Sequence, residues 1–182
     1  AYSCPAGWDF KNETHEQAGI RADRGRGKLM KLEGTYSHHG GQELWASRGL
    51  YEWITDVFEA PGIAIGNGPT SKIRDHVKAE LSSAGWAFNV KVDAESDLTV
   101  FSKVDDLAVQ LQTGNISRYA YDILKLQHLY IKRVIEGGAL CVPTKKAATA
   151  MGSNIANMER VINELNIFDR FITCPLMVVA FE

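Results

Sequence analysis

The stretch that decides the fold runs DLTVFSKVDDLAVQLQTGN, from Asp97 to Asn115. Two short apolar, β-branched runs, 96–102 and 107–112, flank Lys103-Val104-Asp105-Asp106, and this pattern predicts a β-hairpin. Strand side chains alternate with period two. Leu107, Val109 and Leu111 therefore share one face, and Ala108, Gln110 and Gln112 share the other. Asp97 opens the partner strand, so its carboxylate is expected beside the glutamine face. A divalent cation needs oxygen ligands converging from such neighbours. Taken alone, a polar row on a half-exposed strand is simply the wet face of a sheet.

Working outward, KLMKLEGTYSH (28–38) alternates apolar and polar residues and predicts a strand, broken by HHGGQ (38–42). Leu44, Trp45, Leu50, Trp53, Ile54, Val57 and Phe58 recur at helical spacing, interrupted by Gly49 and stopped by Ala60-Pro61-Gly62. Thr70 or Ser71 caps a helix to about Ser83, with Ile73, Val77 and Leu81 as its stripe and Gly85 as its end. WAFNVKV (86–92) is a strand. Beyond the hairpin, a long helix is expected from Ser117 to Glu136, then a buried strand GGALCVP (137–143). KKAATAMGSN is a loop or short helix, Ile155 to Leu165 a further helix, and CPLMVVAFE (174–182) a closing strand. Intermixed helices and strands around a hairpin predict the α/β class, with a mixed central sheet flanked by helices. The expected organisation is a basic extension, 1–27, followed by one domain, 28–182.

Composition narrows the function classes. The chain has 182 residues, 45% hydrophobic and 23% charged, which is ordinary for a folded protein and excludes low-complexity classes. The net charge of -2 neither announces nor excludes a nucleic-acid partner, because a basic cleft can sit on a neutral protein. Charge is uneven along the chain: Glu52 to Asp106 holds ten acidic and five basic residues, Gln110 to Arg160 seven basic and three acidic. Cys4, Cys141 and Cys174 lack metal spacing and read as reduced thiols of a cytoplasmic protein. No apolar run is long enough to span a membrane, and the first residues lack a signal peptide's apolar core. His38 and His39 point apart if they lie on a strand, which argues against a metal. GIAIGNGPTSK does not fit a nucleotide-binding loop. Arg21, Arg24, Arg26 and Lys28 form a basic run suited to solvent or phosphate.

The arrangement resembles the PD-(D/E)xK nuclease core, and within it the BglII-like type II restriction endonucleases, which carry Asp...Glu-x-Gln. Asp97 matches the first acid and Gln112 the terminal glutamine. KLEGTYSHHGG, VQLQTGNISRYAYD, GGALCVPTKKAATAMGSNIANMERVINEL and CPLMVVAFE resemble that branch in the same order, so the resemblance covers about 28–182. It implies a restriction-endonuclease-like core with an active-site hairpin, and Mg²⁺-dependent cleavage of double-stranded DNA at a short palindromic site by a homodimer. Asp97 would be the main metal ligand, Gln110 a second ligand, and Gln112 the residue orienting water. Glu52 and Glu95 are more distant candidates. Asn115, Ser117 and Arg118 would contact DNA at the start of the long helix, and Lys145, Lys146, Ser153 and Asn154 from the late loop. The interface would use the helices near 44–58 and 117–136.

One departure matters. Gln110 stands where that branch has its second acid, which removes a negative charge while keeping the shape. An engineered isosteric change is favoured as its origin, because one exchange would separate the site from the pattern; a natural weak or inactive relative is the other. Asp105 and Asp106 could supply the charge only if they left the hairpin turn. The alternative function is a DNA-binding protein of the same fold that does not cut.

Overall fold

The computed structural model describes residues 28–66 and 68–182. The basic run at Arg21, Arg24 and Arg26, the extension 1–27 as a whole, Trp8 and Cys4 lie outside the described residues.

Six strands form one sheet: β1 (Leu32–His38), β2 (Ala87–Lys91), β3 (Thr99–Val104), β4 (Leu107–Leu111), β5 (Gly137–Pro143) and β6 (Leu176–Phe181). Their spatial order is β1-β6-β5-β4-β3-β2. The central pairs β4·β5 and β5·β6 are parallel, and the pairs β1·β6, β3·β4 and β2·β3 are antiparallel. Six helices flank the sheet: α1 (Gly41–Ser47), α2 (Tyr51–Glu59), α3 (Thr70–Ser83), α4 (Tyr119–Ile131), α5 (Lys145–Met151) and α6 (Met158–Ile167). This is the expected mixed α/β architecture.

Alternation along the strands divides the core in two. Val109, Cys141, Met177, Val179 and Phe181 meet Trp45, Ile54, Phe58, Ile73, Val77 and Leu81 of α1–α3 on one face. Ala108, Leu140, Val142, Leu176 and Val178 meet Tyr119, Ile123, Leu126, Val161 and Leu165 of α4 and α6 on the other. Every residue of β5 and β6 is buried, as expected for parallel strands covered on both sides. Trp45 and Trp86 are core residues, and Trp53 stacks on Trp86 with centroids 5.8 Å apart.

The ends of elements bear out the glycine stops and correct other expectations. The helix expected over 44–58 is two helices, because Gly49 (φ 68) closes α1 with paired bonds from the Gly49 and Leu50 amides to Ala46 and Trp45 carbonyls. Gly85 closes α3 the same way. The long helix stops at Ile131 rather than Glu136. There Arg133 (φ 57) takes the left-handed position usually given to glycine, while Arg133 and Val134 amides bond Tyr130 and Leu129 carbonyls. KKAATAM forms a helix, capped by the Thr144 hydroxyl accepting from the Ala147 amide. The following helix begins at Met158 rather than Ile155, capped by the Asn157 side chain accepting from the Arg160 amide. β3 starts at Thr99, so Asp97 lies before the strand.

Candidate functional site

The site grows out of how β3 and β4 pair. Their ladder runs only through Val104–Leu107, Lys103–Ala108 and Ser102–Val109. Beyond that point β4 stays with β5, through Leu111–Cys141 and a further bond from the Gln112 amide to the Cys141 carbonyl (2.9 Å). β3 stays with β2, and the two halves of the sheet part. The Phe101 amide bridges the gap by donating to the Gln110 side-chain Oε1 at 3.0 Å, in place of a backbone partner. Because an amide N–H must meet an acceptor, this bond fixes the orientation of the Gln110 carboxamide. Its Nε2 then has no partner. Among the described residues it is the one buried side-chain polar atom left without one.

The opening is a cleft of about 640 Å³. Gln110 and Gln112 line its floor, 4% and 7% exposed. Thr70 and Arg74 of α3 form one wall; Arg118, which caps α4, and Asp122 and Lys125 within it form the opposite one. Asn89, with φ 50 in the edge strand β2, and Phe101 complete it. Gln112 is fully engaged: its Nε2 donates to Asp122 Oδ2 (2.8 Å) and its Oε1 accepts from the Gly114 amide (2.9 Å). Asp122 also accepts from Lys125 Nζ at 3.0 Å. Arg74 lies over the Phe101 ring, 5.2 Å from its centroid.

The sequence-predicted residues divide cleanly. Gln110, Gln112, Asn115 and Arg118 line one cleft. Asn115 Oδ1 accepts from both the Ser117 amide and hydroxyl (2.9 Å each), an arrangement that holds the turn entering α4. A bridge between Asn115 and Ile155, with the Ile116 amide on the Asn154 carbonyl (2.8 Å), places Ser153 and Asn154 beside that turn. Two stretches separated in sequence therefore form one rim. Lys145 and Lys146 are exposed on α5 outside the cleft, and Lys146 pairs with Glu182 at 3.3 Å.

Asp97 does not join the glutamines. It sits in the β2–β3 connection with its side chain fully exposed, 4.0 Å from Lys91 Nζ, and it does not line the cleft. Phe101, the residue that does face Gln110, lies four positions further along the chain. Glu95 and Glu52 are exposed and also outside the cleft. Asp105 and Asp106 remain in the hairpin turn at the far end of the ladder, where Asp106 pairs with Arg48 at 2.6 Å. Sequence reading missed Arg74, Asn89, Phe101, Asp122 and Lys125. Only the Asp122/Lys125 pair had a signal, opposite charges three residues apart on a helix face.

A family model described as restriction endonuclease BglII/BglIII matches residues 34–181. The chain belongs to the BglII/BglIII restriction endonuclease family. Among solved structures, BglII complexed with a DNA 16-mer superposes with a TM-score of 0.66 at 14% identity, covering 82% of this chain and 75% of that one. Free BglII gives 0.61 at 14% identity, with 82% and 78% covered. A search of curated proteins returns no match. Family and fold are those of a type II site-specific deoxyribonuclease, an enzyme class that generally uses divalent metal ions.

The cleft residues of this BglII/BglIII-family chain do not fit such an ion. A hard divalent cation takes several oxygen ligands, carboxylates foremost. The cleft offers one carboxylate, Asp122, already paired with Lys125; on its floor the Gln110 and Gln112 carboxamide oxygens each accept a backbone N–H, and at the rim Asn115 Oδ1 accepts from Ser117. Three cationic side chains surround them.

Elsewhere, His38, His39 and Asp169 bring ligand atoms within 4.8 Å of one another, contrary to the expectation that the histidines point apart. Hydrogen bonds account for this corner: His38 Nε2 to the Ile172 carbonyl (2.6 Å) and His39 Nε2 to the Asp169 carbonyl (2.9 Å). Burial pushes the His38 ring below its ordinary value. It likewise raises the Cys174 thiol to about 12 and the Cys141 thiol further, so neither is a nucleophile at neutral pH. No described helix is long and apolar enough to cross a membrane.

Proposed function

We propose that this chain recognises a short palindromic site in double-stranded DNA as a homodimer, and that Mg²⁺-supported hydrolysis is impaired by the residues now on the cleft floor. One observation carries this reading: the cleft of a nuclease fold is lined by three cations and two buried amides, with its single carboxylate neutralised. Such a surface suits a phosphate backbone. Asn115, Ser117, Arg118, Ser153 and Asn154 form the rim that reads bases and positions phosphates, because amide and guanidinium groups pair bidentately with base edges. Lys145 and Lys146 extend the contact along the backbone.

Two positions, Phe101 and Gln110, separate the floor from an acidic site. That favours a natural weak relative over a single engineered exchange. The dimer uses α4 together with the end of α6. There Leu124, Phe168 and Phe171 are 55%, 48% and 77% exposed around a groove of about 300 Å³. Clustered exposed apolar side chains of this kind mark interfaces. Buried, protonated thiols suit a reducing cytoplasm.

The test is selection of bound duplexes from a random pool, followed by sequencing and incubation with Mg²⁺. Enrichment of one symmetric sequence, with little or no cutting, is the expected result. Absence of any enriched sequence overturns the reading. Phe171→Asp is expected to shift the protein to monomer in sedimentation and to weaken binding to the symmetric site.

A further inference from the structure

We propose that the cleft at the parting of β3 and β4 binds a phosphodiester of DNA without a metal ion, with Arg74 and Arg118 supplying the net positive charge and the Gln110 carboxamide a hydrogen-bond donor. This rests on the DNA reading above and goes beyond it, since it replaces the metal by side chains of the protein itself.

Four observations converge. First, Arg74 and Arg118 form no ion pair among the described residues, yet both line the cleft. A guanidinium presents a planar fork of donors matched to phosphate oxygens. Second, two helices of ordinary length begin there: Thr70 opens α3 and Arg118 is the N-cap of α4. Their unpaired N–H groups add positive potential from opposite walls.

Third, Gln110 Nε2 is a buried donor with no acceptor, on the floor between those walls. An unmet buried donor is destabilising, so a persistent one marks a place where an acceptor belongs. A phosphate oxygen seated where the strands part supplies it. Fourth, the residue facing Gln110 across the gap is Phe101, whose apolar ring can ligate nothing and instead carries Arg74 at 5.2 Å. The charge that a cation would bring is thus already present as two arginines, and the carboxylates that would hold a cation are absent from both strands. Replacing Gln110 alone therefore does not rebuild a metal site.

Binding to a pool of short random duplexes, measured with EDTA and again with Mg²⁺, tests this. Affinity is expected to be the same within about twofold, since direct contacts rather than a bound ion set it. Arg74→Ala and Arg118→Ala each weaken binding roughly tenfold or more, and each reduces the steepness of the salt dependence by about one ion. The Gln110 side-chain amide resonance shifts on adding duplex in EDTA, and Gln110→Glu weakens binding without conferring cleavage. Binding that requires Mg²⁺, or Mg²⁺-dependent cutting by Gln110→Glu alone, overturns the inference while leaving the DNA reading intact. So does an unmoved Gln110 resonance together with arginine variants that bind like the parent. If no duplex binds but inorganic phosphate in EDTA shifts the Gln110 resonance, the phosphate site stands and the DNA reading falls. If neither binds, both fall.

Discussion

The centre of the sheet and its open edge are built on opposite terms. In β5 and β6 every side chain is buried and apolar, both neighbours are paired, and close approach leaves no slack. An added Cβ at Gly41, for example, would stand 2.1 Å from the Leu176 backbone carbon. At the edge, β3 and β4 share three residue pairs and then part, a side-chain amide replaces the ladder, and a buried donor goes unmet. The difference teaches that tight specification is concentrated in the fully paired strands, and that the cleft keeps an unmet donor on its floor.

The strongest way to break this comparison is at the centre. Gly41→Ala forces backbone against backbone and is expected to cost about 3 kcal/mol or more, lowering the thermal midpoint by roughly 10 °C for a chain of this size. Calorimetry reads it directly, and a shift of only a degree or two would show the centre to be yielding. Next comes the engaged glutamine. Gln112→Leu strips the Gly114 amide of its acceptor and leaves Asp122 with Lys125 alone, for an expected loss of about 1–3 kcal/mol in urea unfolding.

Gln110→Met is the sharper contrast. It loses the Phe101 bond but also removes the unmet donor, so it should cost less than about 1 kcal/mol. Equal losses at 110 and 112 would mean that the edge is as tightly specified as the centre. The smallest effect lies at the opposite edge, on His38. Burial holds the folded ring below its ordinary value of 6.5, so the unfolded chain takes up its proton first. Stability should therefore be level above pH 6.5 and decline as pH falls from there toward the folded value, where it levels again. His38→Gln, which keeps a donor for the Ile172 carbonyl, should flatten that part of the urea-midpoint profile.

Much of the fold was legible because alternation and helical spacing are local properties. GGALCVP and the Ile73–Val77–Leu81 stripe each state their own environment. Boundaries were legible where glycine supplied the stop, at Gly49 and Gly85, and illegible at Arg133, whose left-handed backbone no residue type announces. The site was half legible. Strand period put Gln110 and Gln112 on one face, but only the family resemblance singled them out, with Asn115 and Arg118, and the structure lines one cleft with all four. Asp97 failed because the hairpin is not regular: β3 begins two residues later, and the strands part before reaching it.

The sequence by itself determined the element types, the mixed sheet with its two apolar faces, and the polar row on β4, since each is written in residues a few positions apart. Only the tertiary structure decided which residues meet in the cleft. Arg74, Phe101, Gln110 and Lys125 come from four separate elements, and their convergence depends on where the β3–β4 ladder gives way. That point is set by the competition of β4 for β5 and of β3 for β2, a balance among strands distant in sequence.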